Sequence, residues 1–165
     1  MSRPILIGIA VLVLIAGAAW YITHADDESA PIRRRLQAFA DEVNSSTIDG
    51  KGPEARAAQL GSFFTEDAEV DLGRGSTSIK GRARLVAMAG RLQPRTSAFT
   101  LRFEDITVAV APGGQSADVH LTAEFIRRSI TTGDQSLDAR EFTIAMRLVD
   151  NEWRMDRVTA IDTLK

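Results

Sequence analysis

Phe99-Thr100-Leu101-Arg102-Phe103-Glu104-Asp105-Ile106-Thr107-Val108-Ala109-Val110 is the stretch from which the fold is read. Phe99, Leu101 and Phe103 are apolar at odd positions, whereas Ile106, Val108 and Val110 are apolar at even ones. A period of two marks a strand with one face buried. In a regular strand, the change of phase would turn half of these side chains to water. It therefore predicts a β-bulge or bend near Glu104-Asp105.

Reading outward toward the C-terminus, Pro112-Gly113-Gly114-Gln115 has the composition of a hairpin turn. Ala117, Val119, Leu121, Ala123 and Phe125 alternate on the next strand, and Thr131-Thr132-Gly133-Asp134 breaks the chain. Phe142, Ile144, Met146 and Leu148 mark a further strand. Asp150-Asn151 turns into the last one, which carries Trp153 and Met155, then Val158 and Ile161.

Toward the N-terminus the period changes to that of a helix. Ile32, Leu36, Phe39 and Val43 form one apolar stripe on a helix expected from Pro31 to Asn44. Residues 44–52 read as a loop, and Pro53 opens a second helix expected to end near Phe64, with Leu60, Phe63 and Phe64 on its apolar side. A strand at Ala68–Leu72 follows, then a turn at Gly73-Arg74-Gly75. Gly81 leads into a third helix, Arg82 to Leu92, with Leu85, Met88, Ala89 and Leu92 buried and Pro94 as its stop. Three helices followed by a meander predict an α+β fold, with the helices packed on one face of a curved antiparallel sheet.

Pro4 to Thr23 holds no charged side chain. Twenty helical residues span roughly 30 Å, one hydrocarbon core, and Trp20-Tyr21 suit an interface. The segment reads as a single-pass transmembrane anchor or a cleaved signal, since Ala16-Gly17-Ala18 and Thr23-His24-Ala25 fit a small-x-small site. The anchor accounts better for the length and the aromatic end. Arg3 favours a cytosolic N-terminus and a domain outside the cytosol; Arg33-Arg34-Arg35 pull the other way. The expected layout is residues 1–23 as membrane segment, 24–30 as linker and 31–165 as the domain.

The 165 residues are 44% hydrophobic and 25% charged, with a formal net charge of −2 and no cysteine. Disulfides, thiolate metal sites and a cysteine nucleophile are excluded. A mildly acidic chain lacks the basic face that nucleic acid requires.

Two stretches carry a family resemblance: Phe63-Phe64-Thr65-Glu66-Asp67-Ala68-Glu69-Val70, and Ile79-Lys80-Gly81-Arg82-Ala83-Arg84-Leu85. Together with the element order, they make residues 31–163 similar to the nuclear transport factor 2-like, or SnoaL-like, superfamily. The resemblance implies a cystatin-like, cone-shaped half-open sheet around an apolar cavity. Candidate cavity-lining residues are Leu36, Phe39, Phe63, Leu85, Phe103, Phe142, Met146 and Trp153. Isomerases, dehydratases, hydrolases and non-catalytic modules all occur in such a superfamily.

The residues favour the non-catalytic branch. An isomerase-type site needs a buried tyrosine, and the only one is Tyr21, in the apolar segment. A dehydratase-type site needs paired histidines; only His24 and His120 exist. His120 alternates with Asp118, Thr122 and Glu124, so it is expected on the outer sheet face, across from Glu141, Thr143 and Arg147. That face is a candidate homodimer surface. Asp71, Arg102 and Asp156 are the candidates for a hydrolase-type Asp-Arg-Asp set. Arg74, Lys80, Arg82, Arg84, Arg91 and Arg95 gather around the third helix and read as a solvated face or an anion site. No metal or cofactor motif is present. The expectation is a membrane-tethered binding or assembly module, with a small hydrophobic molecule as candidate ligand. A SnoaL-like enzyme acting on such a molecule is the alternative.

Overall fold

The computed structural model of the protein describes residues 28–45, 52–73, 77–91, 97–129 and 132–161. The expected membrane segment at 4–23, the stop at Pro94, and Arg74 and Arg95 lie outside the described residues. No helix among the described residues is long and apolar enough to cross a membrane.

The chain runs from helix α1 (28–45) through α2 (Pro53–Gly61), β1 (Phe64–Asp71), β2 (Ile79–Lys80) and α3 (Arg82–Arg91). Four long strands follow: β3 (Ser97–Val110), β4 (Ser116–Ser129), β5 (Gln135–Val149) and β6 (Glu152–Ala160). They form one curved sheet of order β2-β1-β6-β5-β4-β3. The sheet is mixed, not wholly antiparallel as expected, because β1 pairs parallel to β6. That pairing joins segments over eighty residues apart, which alternation within a strand cannot reveal.

Three expected boundaries move. Residues 28–30, assigned to the linker, already belong to helix α1, and Ser29 is buried. Helix α2 stops at Gly61, and Phe64 already belongs to β1. Ile161, expected on the last strand, lies just past its end at Ala160 and is exposed.

The bulge in β3 is present. The register with β4 shifts between Glu104 and Thr107, and Asp105 takes φ 52°. Phe99, Leu101, Phe103, Ile106 and Val108 thereby all pack toward one core. Gly81 takes φ +90°, a left-handed conformation that side chains resist, as the chain turns into α3.

The core lies between α1 and the inner sheet face. Ile32, Leu36 and Ala40 of α1 meet Val119, Leu121, Ile144, Met146 and Trp153. Full burial of a Leu or Ile stabilises by about 1.5–3 kcal/mol. Phe39 holds the middle, edge-on to Phe63 at 5.4 Å and stacked with Phe103 at 6.4 Å.

Polar side chains of α1 fix its position. Arg33 Nη1 donates to the Ile106 carbonyl at 2.7 Å, and Asn44 bonds both backbone groups of Leu101. Eleven helical residues and five strand residues each span roughly 16 Å, so the two anchors keep α1 in step with β3. They also occupy backbone groups on the outermost strand, which would otherwise offer an open edge. At the other side Arg35 donates to the carbonyls of Trp153 at 3.1 Å and Ser62 at 3.0 Å, with its guanidinium 4.2 Å from the Phe63 ring centre.

Candidate functional site

Strand register sorts the inner face into rows. Phe103 faces Ala123, which faces Arg140; Leu101 faces Phe125, which faces Asp138; Phe99 faces Arg127, which faces Ser136. Residues directly opposite share a face. The inner face therefore changes character at the end where β4 leads into β5. Deeper rows are wholly apolar, built from Leu121, Phe142, Ile144 and Met146. The outer three rows place aromatics on β3 and β4 against charged groups on β4 and β5.

The aromatic side is continuous. Phe99 and Phe125 lie 5.8 Å apart between ring centres, and Phe125 meets Phe142 edge-on at 6.3 Å. On the charged side, Arg140 Nε lies 3.4 Å from Asp138 Oδ2. Arg127 is exposed and has no ion-pair partner among the described residues. Asn44, near the end of α1, is bonded to Leu101. Among the described residues, α1 covers the inner face up to that row.

Of the eight candidate lining residues, Leu36, Phe63, Phe142, Met146 and Trp153 are buried in the core. Phe39 and Phe103 pack against it, while Leu85 on α3 is half-buried and stands apart from this cluster.

Asp71, Arg102 and Asp156 do not converge. Asp71 accepts the Gly73 N–H at 2.9 Å, closing a local turn. Arg102 is exposed on the outer face of β3, opposite Glu124. Asp156 sits in β6, three strand spacings or roughly 14 Å away. Its Oδ1 accepts from Thr65 Oγ1 at 2.8 Å and from Arg147.

His120 lies exposed on the outer face with Asp118, as its alternation predicts, and its Nδ1 is 3.4 Å from Thr143 Oγ1. A dent of about 210 Å³ beside the β3 bulge gathers Asp105, His120, Thr122 and Glu141. No group of three such ligands is placed to hold a metal ion among the described residues. Of the basic residues around α3, Lys80 pairs with Glu69 at 3.3 Å and Arg82 with Glu66 at 3.1 Å, while Arg84 borders an open dent with Met88. The pairings of Lys80 and Arg82 are those of a solvated sheet edge and helix start.

Arg127, Asp138 and Arg140 lie outside the apolar alternation that marks these strands, which ends at Phe125 on β4 and starts at Phe142 on β5. Continuing each count toward the Gly133 turn would have placed all three on the inner face.

Many solved structures are similar to this chain at low identity, three of them as follows. A provisionally assigned scytalone dehydratase from Novosphingobium aromaticivorans superposes with a TM-score of 0.68 at 16% identity, covering 86% of this chain and 89% of that one. A nuclear transport factor 2-like protein of cystatin-like fold from the same organism gives 0.65 at 17% identity, covering 90% of each chain. A ketosteroid isomerase-like protein from Erwinia carotovora gives 0.59 at 19% identity, covering 82% of this chain and 97% of that one. At such identities the likeness establishes the fold. No curated protein matches the sequence. The family model of the SnoaL-like domain matches residues 47–159, more than half of the chain, and the protein belongs to that family.

Proposed function

We propose that the domain is a binding module that holds a small apolar molecule on its inner face, at the Phe99–Phe125–Phe142 wall, without turning it over. The carrying observation is the chemistry of that wall. It is aromatic and partly open, and the buried polar side chains among the described residues are only Ser29 and Thr65. An apolar surface of this composition binds through apolar contact and needs few polar groups for orientation. The apolar segment at residues 4–23 completes the reading as a membrane tether, with the domain outside the cytosol. Glu124 and Arg102, opposed on the outer face, suit contact with a second copy of the chain.

Titration of the full chain with an apolar fluorophore tests the binding. Saturable uptake at one site per chain is expected, reduced at least tenfold by Phe125→Ser. Uptake that never saturates, or that ignores the substitution, would remove the proposal. Alkaline carbonate extraction of membranes tests the tether: release of the mature chain into the supernatant would exclude it. A single monomeric species in sedimentation velocity would exclude the second copy.

A catalytic reading has one observation in its favour. Asp138 and Arg140 are titratable and share the inner face with the aromatics, and one structural neighbour bears a dehydratase name. Turnover of a hydroxylated cyclic ketone that is lost in Asp138→Asn would establish it.

A further inference from the structure

The proposed ligand is so far defined only as apolar. We infer that it is an amphiphilic acid, whose apolar body lies on Phe99 and Phe125 and whose carboxylate is taken by Arg127. The inference rests on the binding reading above and adds the chemical class of the ligand.

Three observations carry it. First, Arg127 is directly opposite Phe99, and Phe125 precedes it by two residues on the same face of β4. One short molecule therefore spans the ring faces and the guanidinium. Second, the neighbouring charges are already matched. Asp138 is engaged by Arg140 at 3.4 Å, so Arg127 is left as the unpaired cation of this end of the inner face among the described residues. Third, the local balance remains positive. Arg127 and Arg140 outnumber Asp138 on these rows of the inner face. A guanidinium takes a carboxylate through two parallel N–H bonds, and the aromatic floor excludes water from one side of that pair.

Arg128, the next residue, provides the control. It lies on the outer face, opposite Ala98 and Gln135, with the same charge and similar exposure.

The test is equilibrium dialysis of the full chain in nanodiscs, with empty nanodiscs as the blank, against 4-phenylbutyrate and 4-phenylbutan-1-ol. These probes share the apolar body and differ in the head. The acid is expected to bind about tenfold more tightly than the alcohol. Arg127→Gln should remove that preference and leave the alcohol unchanged. Arg128→Gln should alter neither, and Asp138→Asn should tighten the acid several-fold by freeing a second cation. Both arginines are exposed, so these variants leave the core intact. Equal binding of acid and alcohol, or a loss in Arg128→Gln as large as in Arg127→Gln, would overturn the assignment of the head group while the binding reading stands. No saturable uptake of either probe would overturn both.

Discussion

The carboxamide of Asn44 bonds both backbone groups of Leu101: its Oδ1 accepts the Leu101 N–H at 2.7 Å, and its Nδ2 donates to the Leu101 carbonyl at 2.9 Å. A side chain here takes the place of a neighbouring strand. Leu101 is buried on the outermost strand, so these groups lose their partners if the amide is removed. Asn44→Ala is expected to cost about 2 kcal/mol. It should lower the urea midpoint without changing the slope of the transition. A loss under about 0.5 kcal/mol would show that water replaces the amide without penalty.

Helices α2 and α3 approach each other at Gly61, where an added Cβ would overlap Val86 Cγ2. Gly61→Ala should therefore destabilise by about 1–2 kcal/mol, although alanine is the better helix former. Val86→Ala in the same chain should recover most of that loss. Independent, additive effects in the double-mutant cycle would contradict this close packing.

Glu69 stands between cations on both neighbouring strands, with Lys80 at 3.3 Å and Arg157 at 3.7 Å. Its pKa is lowered, first by the hydrogen bond with Lys80; burial opposes this as the next effect, and Ser78 and the charges of Lys80 and Arg157 lower it further. A lowered carboxylate stabilises the fold above its unfolded value of about 4.3 and loses that contribution as pH falls through the folded value. Glu69→Gln should thus melt below the parent chain at pH 7, with the gap closing below pH 4. Thermal melts across that range, at low and high salt, measure it. A gap that persists unchanged at pH 3 would assign the effect to packing and not to charge.

The turn between β5 and β6 holds Asp150 at φ 52° and Asn151 at φ 63°. Two successive left-handed residues make the tight hairpin turn that favours glycine at its second position. Asn151→Gly should raise the melting temperature by about 2 °C, corresponding to roughly 0.5 kcal/mol. Asn151→Val should lower stability by more than about 1 kcal/mol. Equal melting temperatures for these two variants would show that the turn relaxes without strain.

Local periodicity alone determined much of this protein. The phase change from Phe103 to Ile106 announced the bulge, and the alternation through Val119 and Leu121 assigned His120 to the outer face, since side-chain direction in a strand follows from counting by two. The α1 stripe of Ile32 and Leu36 was legible for the same reason at a period of 3.6. Glu66-Asp67-Ala68 and Ile79-Lys80-Gly81 supported the family resemblance because turns and helix starts have local chemistry. Tertiary structure decided what depends on distant segments. The parallel pairing of β1 with β6, the hold of Asn44 on Leu101 and the separation of Arg102 from Asp156 each join or part residues far apart in the chain. The arrangement of Arg127 beside Phe99 belongs to that second group. Each residue is unremarkable in sequence, and only the register of β3 with β4 sets a cation without an ion-pair partner among the described residues against an aromatic wall.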